Sequence, residues 1–415
     1  MSEWKNVKLK DVADIFSGYA FKSKDMNNNC GTPLIKIKNI NDFIVSTECD
    51  SFLNLDIDLS KWEKYRLQIN DFLIAMTGQG SVGRVGKMMN YSSIYFVNQR
   101  VAIVRPNCNL VNPYFLYKIF ATNERQLELF KKANGAGQPN ISPSQIGDVE
   151  FYIPNIKNQC RIATILSRYD SLIENYQKQI KLLEESAQRL YKEWFIDLRF
   201  PGHENTKIVD GVPEGWEMIS INDLVGKLES GSRPKGGIDT SIKDGVASVG
   251  AENVIGLGQY NFSSEKLVSY DFYNNAKKGR IGNKDILIYK DGAYIGRTSL
   301  FQGNFPHKEA MVNEHVFLLH TNKEVNQYFL FFTLYQKVYF DKMQKLNKNA
   351  AQPGLNQNAI KSLKLLMPNE ILIIRFDEII NPMMKVLFDL ANQIHNLTEA
   401  RDRLLPKLMS GEIKV

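Results

Sequence analysis

The sequence predicts an α+β chain: two tandem α+β domains separated by two long helical regions that pair as an antiparallel coiled coil, a pseudo-two-fold internal repeat. Three observations predict it. The second half of the 415 residues repeats the first at a near-constant shift. Each copy ends in a glycine-poor stretch with a helical period. Inside each copy, short β-type runs alternate with Gly/Asn turns around one amphipathic helix.

The repeat can be followed from end to end. Trp4, Leu9, Asp11 and Val12 recur as Trp216, Ile221, Asp223 and Leu224, and Ser17-Gly18 as Ser230-Gly231. Lys38-Asn39-Ile40 lies on Glu252-Asn253-Val254, Asp71-Phe72-Leu73-Ile74 on Asp285-Ile286-Leu287-Ile288, and Gly83-Arg84 on Gly296-Arg297. Val97-Asn98-Gln99 matches Val312-Asn313-Glu314, and Ala136-Gly137-Gln138-Pro139 matches Ala350-Ala351-Gln352-Pro353. The shift stays between 212 and 215 throughout, and chance does not hold a register that long.

Taken in order, residues 1–155 form the first domain, with β-type runs at 34–40, 72–76, 94–97 and 101–104 and a helix over 113–131. Residues 156–200 form the central helical region. Its apolar positions Ile173, Tyr176, Ile180, Leu183, Ala187, Leu190 and Trp194 step by about 3.5 residues, a coiled-coil seam. Residues 201–215 read as a linker. Residues 216–368 repeat the first domain, with a helix over 325–345. Residues 369–415 repeat the helical region, and Leu387, Leu390, Ile394, Leu397, Arg401, Leu404 and Leu408 continue the seam. Pro382 suggests a short lead-in helix, a break, then the long helix.

Composition excludes several classes. No apolar run reaches the roughly 18–20 residues of a membrane span, and the first residues carry no apolar signal core, so a cytoplasmic protein is expected. Cys30, Cys49, Cys108 and Cys160 form no Cys-x-x-Cys pair, and the five histidines no His-x-x-x-His pair, so no metal site is expected. Lys and Arg outnumber Asp and Glu by 52 to 45, a net charge of +7 that permits polyanion binding without proving it.

Catalytic motifs are absent on close reading. Gly78-Gln79-Gly80-Ser81-Val82-Gly83 has dinucleotide-loop spacing, but no helix pattern follows it, so a Gly-rich hairpin is expected. Asn112-Pro113-Tyr114-Phe115 resembles an adenine-gripping tetrad, yet it stands where a helix cap and first turn belong. The turns are rich in Arg, Lys, Asn and Gln, the residues that read base edges and hold phosphates. Base reading is expected where the copies diverge, at 19–31 against 232–245 and 79–82 against 293–295. Lys22 and Gln79 in the first domain, and Arg233, Lys235 and Tyr294 in the second, are the candidates. The shared Arg84 and Arg297 are expected to grip phosphate, and the shared Asp71 and Asp285, with Gln138-Pro139 and Gln352-Pro353, to serve mainly the fold or a common backbone contact.

Three stretches resemble the specificity (S) subunit of type I restriction–modification systems. Leu190-Tyr191-Lys192-Glu193-Trp194-Phe195-Ile196-Asp197-Leu198-Arg199-Phe200-Pro201 is similar to the end of that family's central helix. Val212-Pro213-Glu214-Gly215-Trp216 resembles the start of its second recognition domain, and Leu404-Leu405-Pro406-Lys407-Leu408-Met409-Ser410-Gly411-Glu412-Ile413 its C-terminal signature. The resemblance implies two target recognition domains on double-stranded DNA, each reading half of a bipartite site. It also implies helical docking surfaces for two methyltransferase subunits, with restriction (motor/nuclease) subunits joining them. The chain itself would be non-catalytic, with S-adenosylmethionine, ATP and Mg2+ on the partners. A helix over 168–196 would measure about 43 Å, the rise of about 13 base pairs. Ile162, Ile165, Leu166, Trp194 and Phe195, with Phe376, Ile379, Ile380, Leu408 and Met409, extend beyond the seam. That surplus apolar surface argues for docked partners and against the alternative, a stand-alone DNA-binding regulator built as an intramolecular pseudo-dimer.

Overall fold

A computed structural model describes residues 4–89, 91–135, 137–292, 294–348 and 354–415. The repeat positions Ala136, Ala293 and Ala350-Ala351-Gln352-Pro353 lie outside the described residues. The chain divides into two compact units, Met1–Asp170 with Ala400–Val415, and Ser171–Glu399.

Both units are built on the same four antiparallel strands in the same order. In the first unit these are Ala13–Ser17, Val101–Pro106, Phe72–Ala75 and Val85–Lys87, extended by Phe43–Val45 and Ile40–Asn41. In the second they are Val225–Ser230, Val316–Thr321, Asp285–Tyr289 and Thr298–Phe301. The continuous apolar run at 72–75 suits a strand covered on both faces. Its alternation sends Phe72 and Ile74 into one hydrophobic cluster and Leu73 and Ala75 into another. A short ladder joins the beginning and end of each domain: Lys5–Lys8 pairs with Glu150–Ile153, and Glu217–Ser220 with Lys364–Met367.

Several expectations need correcting. The run at 34–40 breaks after Ile35 and resumes as strand only at Ile40, because the Asn39 side chain accepts the Lys36 N–H at 2.9 Å and closes a turn. The helix over 113–131 is two, Pro113–Phe120 and Asn123–Lys132, separated by Thr122, whose hydroxyl caps the second at Arg125 N–H. Its copy is likewise two, Gln327–Tyr335 and Lys337–Lys348. In each domain the first of these short helices is buried almost all round.

The long helices run without a break over Ile156–Phe195 and Glu370–Met409, 40 residues each and so about 60 Å long, not 43 Å. Pro382 lies inside the second one. An interior proline costs about 3 kcal/mol. Phe376, Ile380, Met384 and Leu387 around it are fully buried, and each side chain contributes about 1.5–3 kcal/mol. Burial wins.

The helices are antiparallel within each unit. In the first, the Arg401 guanidinium donates to Asp170 at 2.9 Å, and Leu408 shares a core with Ile162 and Leu166. In the second, the rings of Phe195 and Phe376 lie 5.0 Å apart. Every seam position is buried or half-buried. Of the surplus apolar residues, Ile379 is 42% exposed and Ile165 and Met409 are half-buried. The other seven, Ile162, Leu166, Trp194, Phe195, Phe376, Ile380 and Leu408, are buried in the chain's own cores and offer no docking surface. The motif residues belong to the same packing. Phe195, Phe200 and Trp216 form one aromatic group, and Gly411 lies against the Trp4 ring.

Candidate nucleic-acid interface

Strand order places the candidate loops. Ser17 pairs with Ala102, Val101 with Ala75, and Ile74 with Val85, so the loops 18–22, 76–84 and 97–100 leave one end of the first domain's sheet. Ser230 pairs with Phe317, Tyr289 with Val316, and Ile288 with Thr298, so 231–237, 290–297 and 313–315 leave the matching end in the second. Backbone hydrogen bonds stitch each set together. Tyr19 N–H donates to Val97 O and Gly78 N–H to Pro139 O; Gly231 N–H donates to Asn313 O and Leu355 N–H to Lys290 O.

The Gly-rich stretch at 78–83 is a hairpin turn between strands, and no helix opens after it. Asn112 is a helix N-cap, accepting Phe115 N–H at 3.0 Å, with Pro113 in the first turn. Asp71 and Asp285 serve the fold. Asp71 accepts two bonds from Arg105 and one from Gln68 N–H, while Asp285 accepts from Gly282 N–H, Lys227 and His320.

In the first domain Gln79 is exposed at the tip of the hairpin that also carries Arg84. Arg84 is fastened within the chain, donating to Gly80 O and to the Asn41 side chain, each at 3.0 Å. Lys22 is exposed on its own loop, and among the described residues no hydrogen bond or ion pair joins it to Gln79 or Arg84. Part of this divergent loop is core. Phe21 is buried against Trp62 and Phe96 with Tyr19 beside it, an aromatic cluster that the residue types at 19–31 did not reveal.

The second domain brings its candidates closer together. The Arg297 guanidinium stacks 3.9 Å from the centre of the Tyr294 ring and donates to Val254 O at 3.3 Å. Arg233 pairs with Glu314 at 2.7 Å, and its Nη2 lies 3.4 Å from His315 Nε2. His315 Nδ1 in turn lies 2.8 Å from Asp291, on the Tyr294 hairpin. Lys235 is exposed two residues beyond Arg233. Burial opposes ionisation of nearby Glu252, but its own backbone N–H, Lys266 at 2.9 Å and His315 outweigh it and hold the carboxyl below its ordinary range. Glu314, His315 and Asp291 are the residues that sequence reasoning missed. Their one signal was the change from Gln99 to Glu314 inside an otherwise matching triplet.

Among the described residues no group of His, Cys, Asp or Glu is placed to hold a metal ion, and no helix is long and apolar enough to cross a membrane.

Comparison with known proteins returns one consistent family. Its model, described as the type I restriction modification DNA specificity domain, matches residues 1–185 and again 213–400. The MjaIX specificity subunit of Methanocaldococcus jannaschii is 28% identical over 359 residues, covering 82% of this chain and 78% of that protein. The HindI specificity subunit of Haemophilus influenzae is 24% identical over the whole of both chains. Among solved structures, the type I restriction-modification S subunit from M. genitalium aligns with a TM-score of 0.62 at 15% identity. That alignment covers 98% of this chain and 96% of that one, a likeness of fold.

Proposed function

The chain belongs to the type I restriction–modification DNA specificity family, and we propose that it reads a bipartite DNA site with the two loop-bearing sheet ends, one half-site per domain. One observation carries this reading. The same strand frame recurs in both domains, with Gly18/Gly231 and Asn98/Asn313 shared, while the side chains it presents differ between copies. A shared frame with unlike side chains suits unlike half-sites. In this reading Lys22, Gln79, Arg233, Lys235 and Tyr294 contact bases, and Arg84 and Arg297 contact phosphate.

The long helices serve as spacer and as docking surface for two methyltransferase subunits, with restriction subunits joining that complex. The exposed Ile371, Ile379 and Val386 on the second helix now support the docking, in place of the residues found buried. Chemistry, with S-adenosylmethionine, ATP and Mg2+, belongs to the partners, and this chain works in the cytoplasm as the non-catalytic reader. The test is selection of bound duplexes from a randomised pool by the full chain assembled with its methyltransferase. Two conserved sequence blocks at fixed separation are expected; a single block, or no enriched sequence, would overturn the reading.

A further inference from the structure

Arg233, Glu314, His315 and Asp291 come from three different loops, yet they form one connected chain at the sheet end of the second domain. His315 links the two ends: its Nδ1 lies 2.8 Å from Asp291 and its Nε2 3.4 Å from Arg233 Nη2. Glu314 Oε1 holds the same Nη2 at 2.7 Å and itself lies 3.3 Å from His315 Nε2, so both groups grip the guanidinium at one corner. Among the described residues no hydrogen bond within the chain engages Arg233 Nε or Nη1, and the side chain is 46% exposed. The guanidinium is therefore anchored by one nitrogen and free along one edge. Glu314 is engaged through Oε1, while its Oε2 is closed off from solvent.

A guanidinium with a fixed plane and a free edge matches the two acceptors, O6 and N7, that guanine shows in the major groove. A flexible arginine at a phosphate needs no such anchoring, and a carboxylate beside it weakens phosphate attraction. We propose that Arg233 reads a guanine, so that the half-site of the second domain contains a G·C pair. Glu314, His315 and Asp291 are positioning residues that hold the guanidinium in place. The inference rests on the reading of these loops as the DNA-contacting face. By the shared Gly-frame, Arg233 falls on Ala20, Glu314 on Gln99 and His315 on Arg100, so the first domain has no such relay.

Selection of bound duplexes from a randomised pool by the full chain tests it. In the wild type, one position of the second half-site is guanine with a preference of about tenfold or more. Arg233→Lys keeps the charge beside Glu314 but loses the two-pronged fork, so guanine preference at that position is lost while the first half-site stays enriched. Glu314→Gln lowers the same preference yet raises affinity for random duplex, because it removes the negative charge that offsets the Arg233 guanidinium. A merely structural role would not produce that opposed pair of changes. A bipartite site whose every position survives Arg233→Lys overturns this inference and leaves the recognition reading standing. A wild-type pool without any enriched sequence overturns both.

Discussion

Gly231 occupies a position with no room for a side chain. A Cβ there would stand 1.5 Å from the Val312 carbonyl oxygen, and at Gly18 it would stand 2.3 Å from that of Val97. The Ser-Gly pair recurs in both copies because the first loop must cross the backbone of the 97–99 or 312–314 turn closely. Gly231→Ala is expected to cost about 1–3 kcal/mol in thermal unfolding, and Gly137→Ala, in open space, close to nothing. Arg297 poses a different question at the same scale. It is tied to Val254 O and stacked on Tyr294, which fixes its charge at the hairpin base. Arg297→Ala should weaken binding to all duplexes alike and reduce the slope of log affinity against log salt by about 1. Loss confined to one base position would instead make Arg297 a reader.

The repeated helices solve their two docking problems differently. Half-buried Asp170 accepts from Lys118 at 2.5 Å, from the Tyr114 hydroxyl and from Arg401 at 2.9 Å. Its repeat counterpart is Met384, and those of Lys118 and Tyr114 are Phe332 and Tyr328, while Arg401 is the counterpart of Ala187. One end is an ion cluster; the other is an apolar core in which Ala187 and Met384 are fully buried. Arg401→Ala should cost roughly 1–3 kcal/mol, since Lys118 still faces the carboxylate. Ala187→Arg should abolish folding, because the new charge is buried without a partner and in a site sized for a methyl group. Soluble yield and thermal melts of both variants check this. Burial works against the Asp170 carboxylate, but Lys118, Tyr114 and Arg401 outweigh it and hold the carboxyl below its ordinary value of 3.8. A lowered folded value means stabilisation fully present above 3.8 and lost as pH falls from there through the lower folded-state value. Urea midpoints should therefore drop on acidification below about pH 4 in the wild type. Asp170→Asn should start lower and drop less steeply.

At the scale of the whole molecule the duplication makes the recognition domains exchangeable. Each has its own closing ladder, its own four-strand frame and its own core. Replacing 217–366 by the corresponding segment of another family member should change one half of the target and leave the other intact. A methylome of cells carrying the hybrid reads both halves at once. Change in both halves would mean that the domains do not read independently.

The sequence by itself determined what is local or periodic. The 214-residue repeat, the glycine hairpins, the Asn112 cap and the 3.5-residue seam are patterns a chain carries before it folds, and each appears in the structure. Tertiary structure decided which apolar face meets which. Phe195 and Phe376 look like spare surface along a helix, and only the docked domain core turns them inward. It also carried the helix through Pro382, because several buried side chains outweigh one missing hydrogen bond. The candidate site follows the same division. Cationic turns are visible as residue types, but Arg233 and His315 are 82 positions apart, and only strand pairing that sets Ser230 beside Phe317 brings them together.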